Sequence, residues 1–375
     1  MNVKIFSLLI SLLCSSVAVA SEQYRVERIE VAEHWSLDRA ARLDVDVVNC
    51  GDEPLDMLLF VVGDGGWDAV AASSTIAVGS RGQLSCDLRE TFKDGTPKLN
   101  PEMVSHIELI IVKPKPTSRY RIEAIKPNGT APEWRKSADR LVIPSVEDRA
   151  AEAGRRVRYE QGVLYLPKDW RQGERYPLIV EFPGNIFYTR NCYSTGLPDQ
   201  CKIGYGMSCG EGAIWLSLPF ITGGEVAPSG WGDADETADY VVRMVEQMCE
   251  QFGADPDRVV LTGFSRGAIA CGYIGLRNDR ISSLWCGIHP CQHFDGDGWG
   301  RAKMEGAVKR LERGRSIPQF HTDNGDEALH KMLREEGVTA TYATSNLGAH
   351  ACAMFLDNRE STLQLRRWFR EVTNR

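Results

Sequence analysis

The chain has 375 residues, 43% hydrophobic and 25% charged, with a formal net charge of −7 at pH 7. That length exceeds the ~250–300 residues at which a single core stops growing, so two domains are expected. An acidic balance with no long charge blocks, repeats or low-complexity tracts argues against nucleic acid or an anionic membrane surface as partner.

Residues 1–20 read as a secretory signal. Lys4 is the only charge, an apolar run spans Ile5 to Leu13, and Ala18-Val19-Ala20 fits small-residue cleavage. The run is too short to span a membrane, and no other segment reaches spanning length. A secreted or periplasmic location is expected. Leu13 is bulky where a lipoprotein signal has small residues before its cysteine, here Cys14. Of eleven cysteines, losing Cys14 leaves an even number, which in an exported protein points to disulfides. Cys192 with Cys201, and Cys50 with Cys86, are candidate pairs.

Residues 21–130 alternate at the period of strands. Leu43, Val45 and Val47 share one face. Leu58-Leu59-Phe60-Val61-Val62 is a buried run. Leu84, Cys86 and Leu88, then Ile107, Leu109 and Ile111, alternate again, and Tyr120–Ile125 closes the set. Turn clusters at Asn49–Asp52 and Gly63–Gly66 separate the runs. The pattern predicts an all-β sandwich. Residues 131–155, with Pro132 and Pro144 as breakers, read as a linker.

From residue 156 to the end the period mixes. A hairpin is expected at Val157–Tyr159 and Val163–Pro167. A buried strand runs over Tyr176–Phe182 and ends at Pro183-Gly184-Asn185, with another at 213–219. Tyr240, Val241, Met244, Val245, Met248 and Phe252 recur at helical spacing over 236–252, with Gly253 as stop. Further strands are expected at Ser283–Ile288, Ile317–His321 and Thr339–Ala343, and a helix at Thr362–Glu371. Strands alternating with helices predict a mostly parallel sheet with helices on both faces.

The chemistry centres on Gly263-Phe264-Ser265-Arg266-Gly267. The β-branched run Arg258–Thr262 precedes it and a helical stretch opens at Ala268. Strand, sharp turn and helix lift a serine hydroxyl above a sheet, and flanking glycines remove side chains that would collide. A second match, Gly206-Met207-Ser208-Cys209-Gly210, lacks both flanks and reads as a loop. Ser265 is the candidate nucleophile.

The elbow at Ser265, with Leu164–Pro167 and Tyr176–Val180 upstream, resembles the α/β-hydrolases over roughly residues 156–375. Within them the chain is similar to secreted serine esterases of the depolymerase and feruloyl-esterase kind. The N-terminal strands resemble the jelly-roll modules attached to secreted polysaccharide-active enzymes. The resemblance implies a Ser–acid–His triad. His350, in a loop between the last strand and the last helix, takes the position of the base. The acid belongs to the region Gln319–Asp326, where Thr322 stands in place of the usual glycine. Asp326 is the first candidate, with Asp323 and Asp295 as alternatives. Asp326 also fits a helix N-cap, and Asp295 a turn former. The oxyanion donors would be the backbone of Arg266 and that of Gly184 or Asn185, where many relatives carry histidine-glycine. Trp231, in the loop before the helix at 236–252, is expected either to line the substrate site or to pack beneath its loop.

No cofactor is implied. Cys286–His293 contains two cysteines and two histidines, the ligand types of zinc, but their spacing is too compressed for finger geometry. The reading is therefore a secreted carboxylesterase acting on carbohydrate-linked or other small-acyl esters. A serine peptidase of the same fold, or a glycan-binding protein with an inactive hydrolase fold, is the alternative.

Overall fold

The computed structural model describes residues 23–32, 35–63, 68–131, 140–294, 306–321, 327–345, 347 and 355–374. They divide into two compact units. The first takes the chain up to Val62, Val70–Leu88 and the strands from Val104. The second takes the segment around Asp68, Arg89–Met103, and the described chain from Arg140 onward.

Among its described residues the first unit is built of strands alone: β1 (Tyr24–Glu30), β2 (Arg42–Asn49), β3 (Leu55–Gly63), β4 (Ala69–Ile76), β5 (Arg81–Asp87), β6 (Val104–Val112) and β7 (Tyr120–Asn128). They form a four-stranded sheet in the order β1-β6-β3-β4 and a three-stranded sheet in the order β5-β2-β7. Alternation is the cause. Leu43, Val45 and Val47 are fully buried along one face of β2, which a strand's two-residue period allows. Asp44, buried on the other face, accepts hydrogen bonds from Ser85 Oγ at 2.5 Å and Asn128 Nδ2 at 2.6 Å.

The same ladder rules out one expected disulfide. Cys86 stands opposite Leu43 in the β2–β5 register, and Cys50 lies seven residues farther along, ~23 Å at ~3.3 Å per residue. A disulfide needs Cα atoms within about 7 Å. Neither cysteine is in a disulfide.

The described residues of the second unit hold thirteen strands: β8 (Val146–Glu147), β9 (Arg156–Tyr159), β10 (Gly162–Tyr165), β11 (Tyr176–Phe182), β12 (Ile186–Thr189), β13 (Cys192–Thr195), β14 (Ile214–Ser217), β15 (Phe220–Thr222), β16 (Glu225–Ala227), β17 (Ala254–Phe264), β18 (Trp285–Cys291), β19 (Ile317–His321) and β20 (Thr341–Ala343). Its helices are α1 (Ile203–Ser208), α2 (Ala234–Phe252), α3 (Arg266–Tyr273), α4 (Asp279–Ser282), α5 (Ala307–Arg313), α6 (Glu327–Glu335) and α7 (Glu360–Thr373). Nine strands make one sheet in the order β20-β19-β18-β17-β11-β14-β10-β9-β8. β10 pairs antiparallel with both β9 and β14, and every other pairing is parallel.

The central strands are buried on both sides, as parallel strands under helices must be. Leu178, Val180 and Phe182 of β11, and Val259 and Leu261 of β17, join a core with α2 and α3. Ile179 and Val260, pointing the other way, join a core with α1 and α7. Asp233 caps α2, its Oδ1 accepting the N–H groups of Asp235 and Glu236, and Gly253 ends the helix at φ 75°.

Several features differ from expectation. The segment read as a linker contributes Ile143 to the α1–α7 core and β8 to the sheet. Leu141 N–H donates to Leu356 O at 2.7 Å. Ser208 is the last residue of a short helix rather than part of a loop. Two hairpins, β12–β13 and β15–β16, were not anticipated. α1 is anchored by the buried Glu181, whose carboxylate accepts the N–H groups of Lys202, Ile203 and Gly204 and the indole N–H of Trp215, all at 2.8–3.0 Å. No sequence period announces a helix so short and so dependent on a distant carboxylate. Among the described residues no helix is long and apolar enough to cross a membrane.

Candidate active site

β17 delivers the chain to Ser265 and α3 carries it away. Ser265 has φ 54° and ψ −114°, a combination that is rare and costly for a residue with a Cβ. The glycines on either side are required by close approach. A methyl on Gly263 would lie 2.5 Å from the backbone of Gly267, and one on Gly267 would lie 2.3 Å from Phe182 O. Ser265 N–H donates to Cys291 O at the end of β18, at 3.0 Å, and Ser265 O accepts from Ile269 N–H at 3.1 Å. These bonds hold the turn in its strained shape while the side chain makes no cap bond. Ser208 is different: its Oγ donates to Gly204 O at 2.9 Å and accepts from Gly210 N–H at 3.2 Å, so its hydroxyl is used in closing its own helix.

Ser265 opens into a cavity of about 250 Å³. Phe187, Cys192, Trp231, Phe264 and Ile269 supply apolar wall; Asn185, Ser194, Ser229, Arg266 and His293 supply polar groups. An apolar pocket with a few convergent polar side chains is the usual form of a small-ligand site. The geometry brings Ser265, Arg266, Asn185 and Trp231 to one cavity. Gly184 lies behind it, beside Phe264 and Glu181.

Arg266 plays two parts. Its amide is the first of α3 and so has no intrahelical acceptor, which aims the N–H and the positive end of the helix toward the serine. Its side chain is buried and reaches away. Nη1 donates to Ala227 O at 3.1 Å and Gly230 O at 2.8 Å, and Nη2 donates to Gly196 O at 2.8 Å. The guanidinium also lies over the Phe220 ring, 4.3 Å from its centroid. Burial pulls its pKa down to about 9, still above neutral, so the charge stands at pH 7. One cation thus ties together the loops at 196 and 227–230 that frame the cavity.

Trp231 lines the cavity, yet it is largely buried; its indole N–H donates to Arg266 O at 3.1 Å, and its ring meets Tyr273 edge-on at 5.9 Å.

His350, Asp326, Asp323 and Asp295 lie outside the described residues. His289 does not face the cavity. It is fully buried, with Nδ1 2.8 Å from Thr262 Oγ1, and packs against Phe355 and His321. Burial first, and then the neighbouring His321, hold its pKa well below the usual value. His293, which the sequence reading left without a role, does line the cavity. Sequence reasoning also missed the hairpin wall. Ile186–Thr189 and Cys192–Thr195 are β-branched and aromatic runs joined by Arg190-Asn191, a hairpin signal that was available.

The second expected disulfide is also absent. Cys192 faces the cavity, whereas Cys201 sits in the core of α1 and α7, and both are free. Burial pushes the Cys201 thiol well above its usual range. Among the described residues no disulfide forms, and no three His, Cys, Asp or Glu side chains are grouped to hold a metal ion.

No family model matches the chain. Carboxylesterase 5A of the dog, Canis lupus familiaris, is 30% identical over 115 residues, which are 28% of this chain and 18% of that relative. The chain therefore spans less than a fifth of the curated relative it matches. Solved structures to which the chain is similar include a ferulic acid esterase, at 15% identity and TM-score 0.37, covering 57% of this chain and 91% of its own. A thermophilic esterase from the Planctomycetes species Thermogutta terrifontis is 19% identical with TM-score 0.38, covering 56% and 86%. Brefeldin A esterase, a bacterial homologue of human hormone sensitive lipase, is 14% identical with TM-score 0.38, covering 57% and 73%. By its own strand order, with β14 placed beyond β11 and β10 alone reversed, by helices on both faces and by the strained elbow between β17 and α3, this chain has the α/β-hydrolase fold.

Proposed function

We propose that the chain is an exported serine hydrolase, a carboxylesterase acting on carbohydrate-linked or other small-acyl esters. The observation that carries this reading is Ser265, held at φ 54° with its side chain making no helix-cap bond and lining a largely apolar cavity. A serine hydroxyl needs a base at neutral pH. In the proposed cycle His350 takes the Ser265 proton as Oγ attacks the ester carbonyl carbon. The N–H of Arg266 and that of Gly184 or Asn185 hold the oxyanion. Asp326, or Asp323 or Asp295 in its place, orients the imidazole. The intermediate collapses, the C–O bond to the alcohol breaks, and the alcohol leaves with the proton from the imidazolium. Water, deprotonated by the same imidazole, then attacks the acyl-enzyme and restores Ser265.

The test is a fluorophosphonate label on purified protein, mapped by peptide mass, alongside turnover of short-chain aryl esters and aryl peptides. Label on Ser265 and ester turnover are expected. Label on Ser208, or turnover of the peptide alone, would sink the esterase reading. Intact mass of the labelled protein also reads whether residues 1–20 are removed.

For the first unit we infer a β-sandwich of jelly-roll type with a targeting role. Its seven described strands form two sheets, antiparallel where β1 meets β6 and where β2 meets β5 and β7, and Cys86 Sγ of β5 lies 3.3 Å from Leu59 O of β3, in the other sheet. Aromatic residues there are few, with Trp35 and Trp67 the candidates to stack on a sugar, so glycan affinity is expected to be weak or absent. Residues 21–130 and 150–375, expressed separately, are expected to give a cooperative melt and full activity on a small soluble ester, respectively. Loss of that activity without the first unit would make the strands part of the catalytic structure.

A further inference from the structure

The hairpin β12–β13 turns one face to the cavity. Phe187 stands directly opposite Ser194 in its register, and Thr189 opposite Cys192. Residues two apart on a strand share a face, so Phe187, Cys192 and Ser194 point the same way, and all three line the cavity that holds Ser265. Phe187 stays 43% exposed, whereas Ser194 is only 2% exposed.

The Ser194 hydroxyl has no hydrogen-bond partner among the described residues. Its neighbour shows the contrast: Thr195 Oγ1 donates to Gln200 Oε1 at 3.0 Å and accepts from Leu197 N–H at 3.3 Å. A buried hydroxyl left unpaired is a cost to folding that alanine would not carry. The location is specific as well. A methyl on Gly184 would lie 3.3 Å from Ser194 Oγ, 3.3 Å from the Phe264 ring and 3.7 Å from Phe264 O. Ser194 Oγ therefore sits beside both the loop that follows β11 and the residue that precedes Ser265.

We propose that Ser194 is a catalytic residue whose Oγ–H donates a hydrogen bond to the oxyanion formed when Ser265 attacks an ester carbonyl. It joins the backbone donors of Arg266 and the 184–185 loop. The proposal rests on the reading of Ser265 as the nucleophile. Buried in a largely apolar wall and without another acceptor among the described residues, the hydroxyl can turn its proton to the charge as it develops, so it acts on the transition state more than on the bound ester.

The experiment compares full-length wild type with Ser194→Ala. It follows fluorophosphonate labelling of Ser265, steady-state turnover of a short-chain aryl ester, affinity for an aryl boronic acid that forms a tetrahedral adduct on serine, and thermal unfolding. The variant is expected to lose about a hundredfold in kcat, the usual cost of one oxyanion donor. KM should stay within about twofold, boronate affinity should fall by a comparable factor, and Tm should be equal or higher. An unlabelled and inactive wild type overturns the serine-hydrolase reading and this role with it. A labelled, active wild type whose variant keeps kcat within about twofold overturns this role alone. A raised KM at unchanged kcat does the same, because the bond would then belong to the ground state. Lost turnover together with a lowered Tm would make Ser194 a structural residue, and also overturns the proposal.

Discussion

Ser265→Ala is expected to lower ester turnover on the order of 10⁵- to 10⁶-fold, since removing the nucleophile of a triad costs about as much as removing the triad. Stability should barely change. The side chain makes no cap bond for alanine to lose, and alanine inherits the same strained backbone at φ 54° and ψ −114°. Ser265→Gly should be equally inactive yet unfold at a higher temperature, because glycine adopts positive φ without the Cβ penalty. A residual rate over water of about 10³- to 10⁴-fold is expected to survive in both, from the oxyanion donors and binding alone. The measurement is kcat on a short-chain aryl ester, with Tm for each variant. If Ser265→Ala retained more than about a hundredth of the wild-type kcat, the nucleophile would lie elsewhere.

His350→Ala is expected to cost at least about a thousandfold in kcat with folding intact, because the serine loses the group that accepts its proton. The informative comparison is His293→Ala. His293 lines the cavity with Ser265, whereas His289 is sealed in the core and bonded to Thr262. His289→Ala should therefore act on stability, leaving a polar gap beside Thr262, and not on the chemical step. If His350→Ala stays active while His293→Ala is dead, the base is His293 and the order of the triad must be redrawn. The same kinetics across Asp326→Asn, Asp323→Asn and Asp295→Asn separate the three candidate acids: only one should match the loss at the base.

Much of this architecture was legible before any coordinates. The two-residue alternation of Leu43, Val45 and Val47 and the helical spacing from Tyr240 to Phe252 are consequences of burial on one face. They appear in the structure as β2 and α2. The strand Ile317–His321 has the bounds that were expected. The elbow was legible for a different reason: Gly263 and Gly267 are demanded by backbone approach within a few residues of Ser265, so the constraint is local and written locally.

What the chain could not show by itself is anything that depends on which distant residues meet. The two disulfides were plausible from spacing, but ladder register separates Cys50 from Cys86, and Cys192 lines the cavity while Cys201 packs in the α1–α7 core. Helix α1 exists because Glu181, more than twenty residues upstream, accepts its first N–H groups. In sequence Arg266 reads only as a backbone oxyanion donor after the nucleophile; its side chain's grip on Gly196, Ala227 and Gly230 arises only when those loops converge on it. Local sequence determined the strands, the long helix and the strained serine, because periodicity and steric exclusion act over a few residues. The walls of the cavity, and the unpaired hydroxyl of Ser194 within them, were decided by tertiary contacts, because burial and hydrogen-bond partnership are properties of the packed chain.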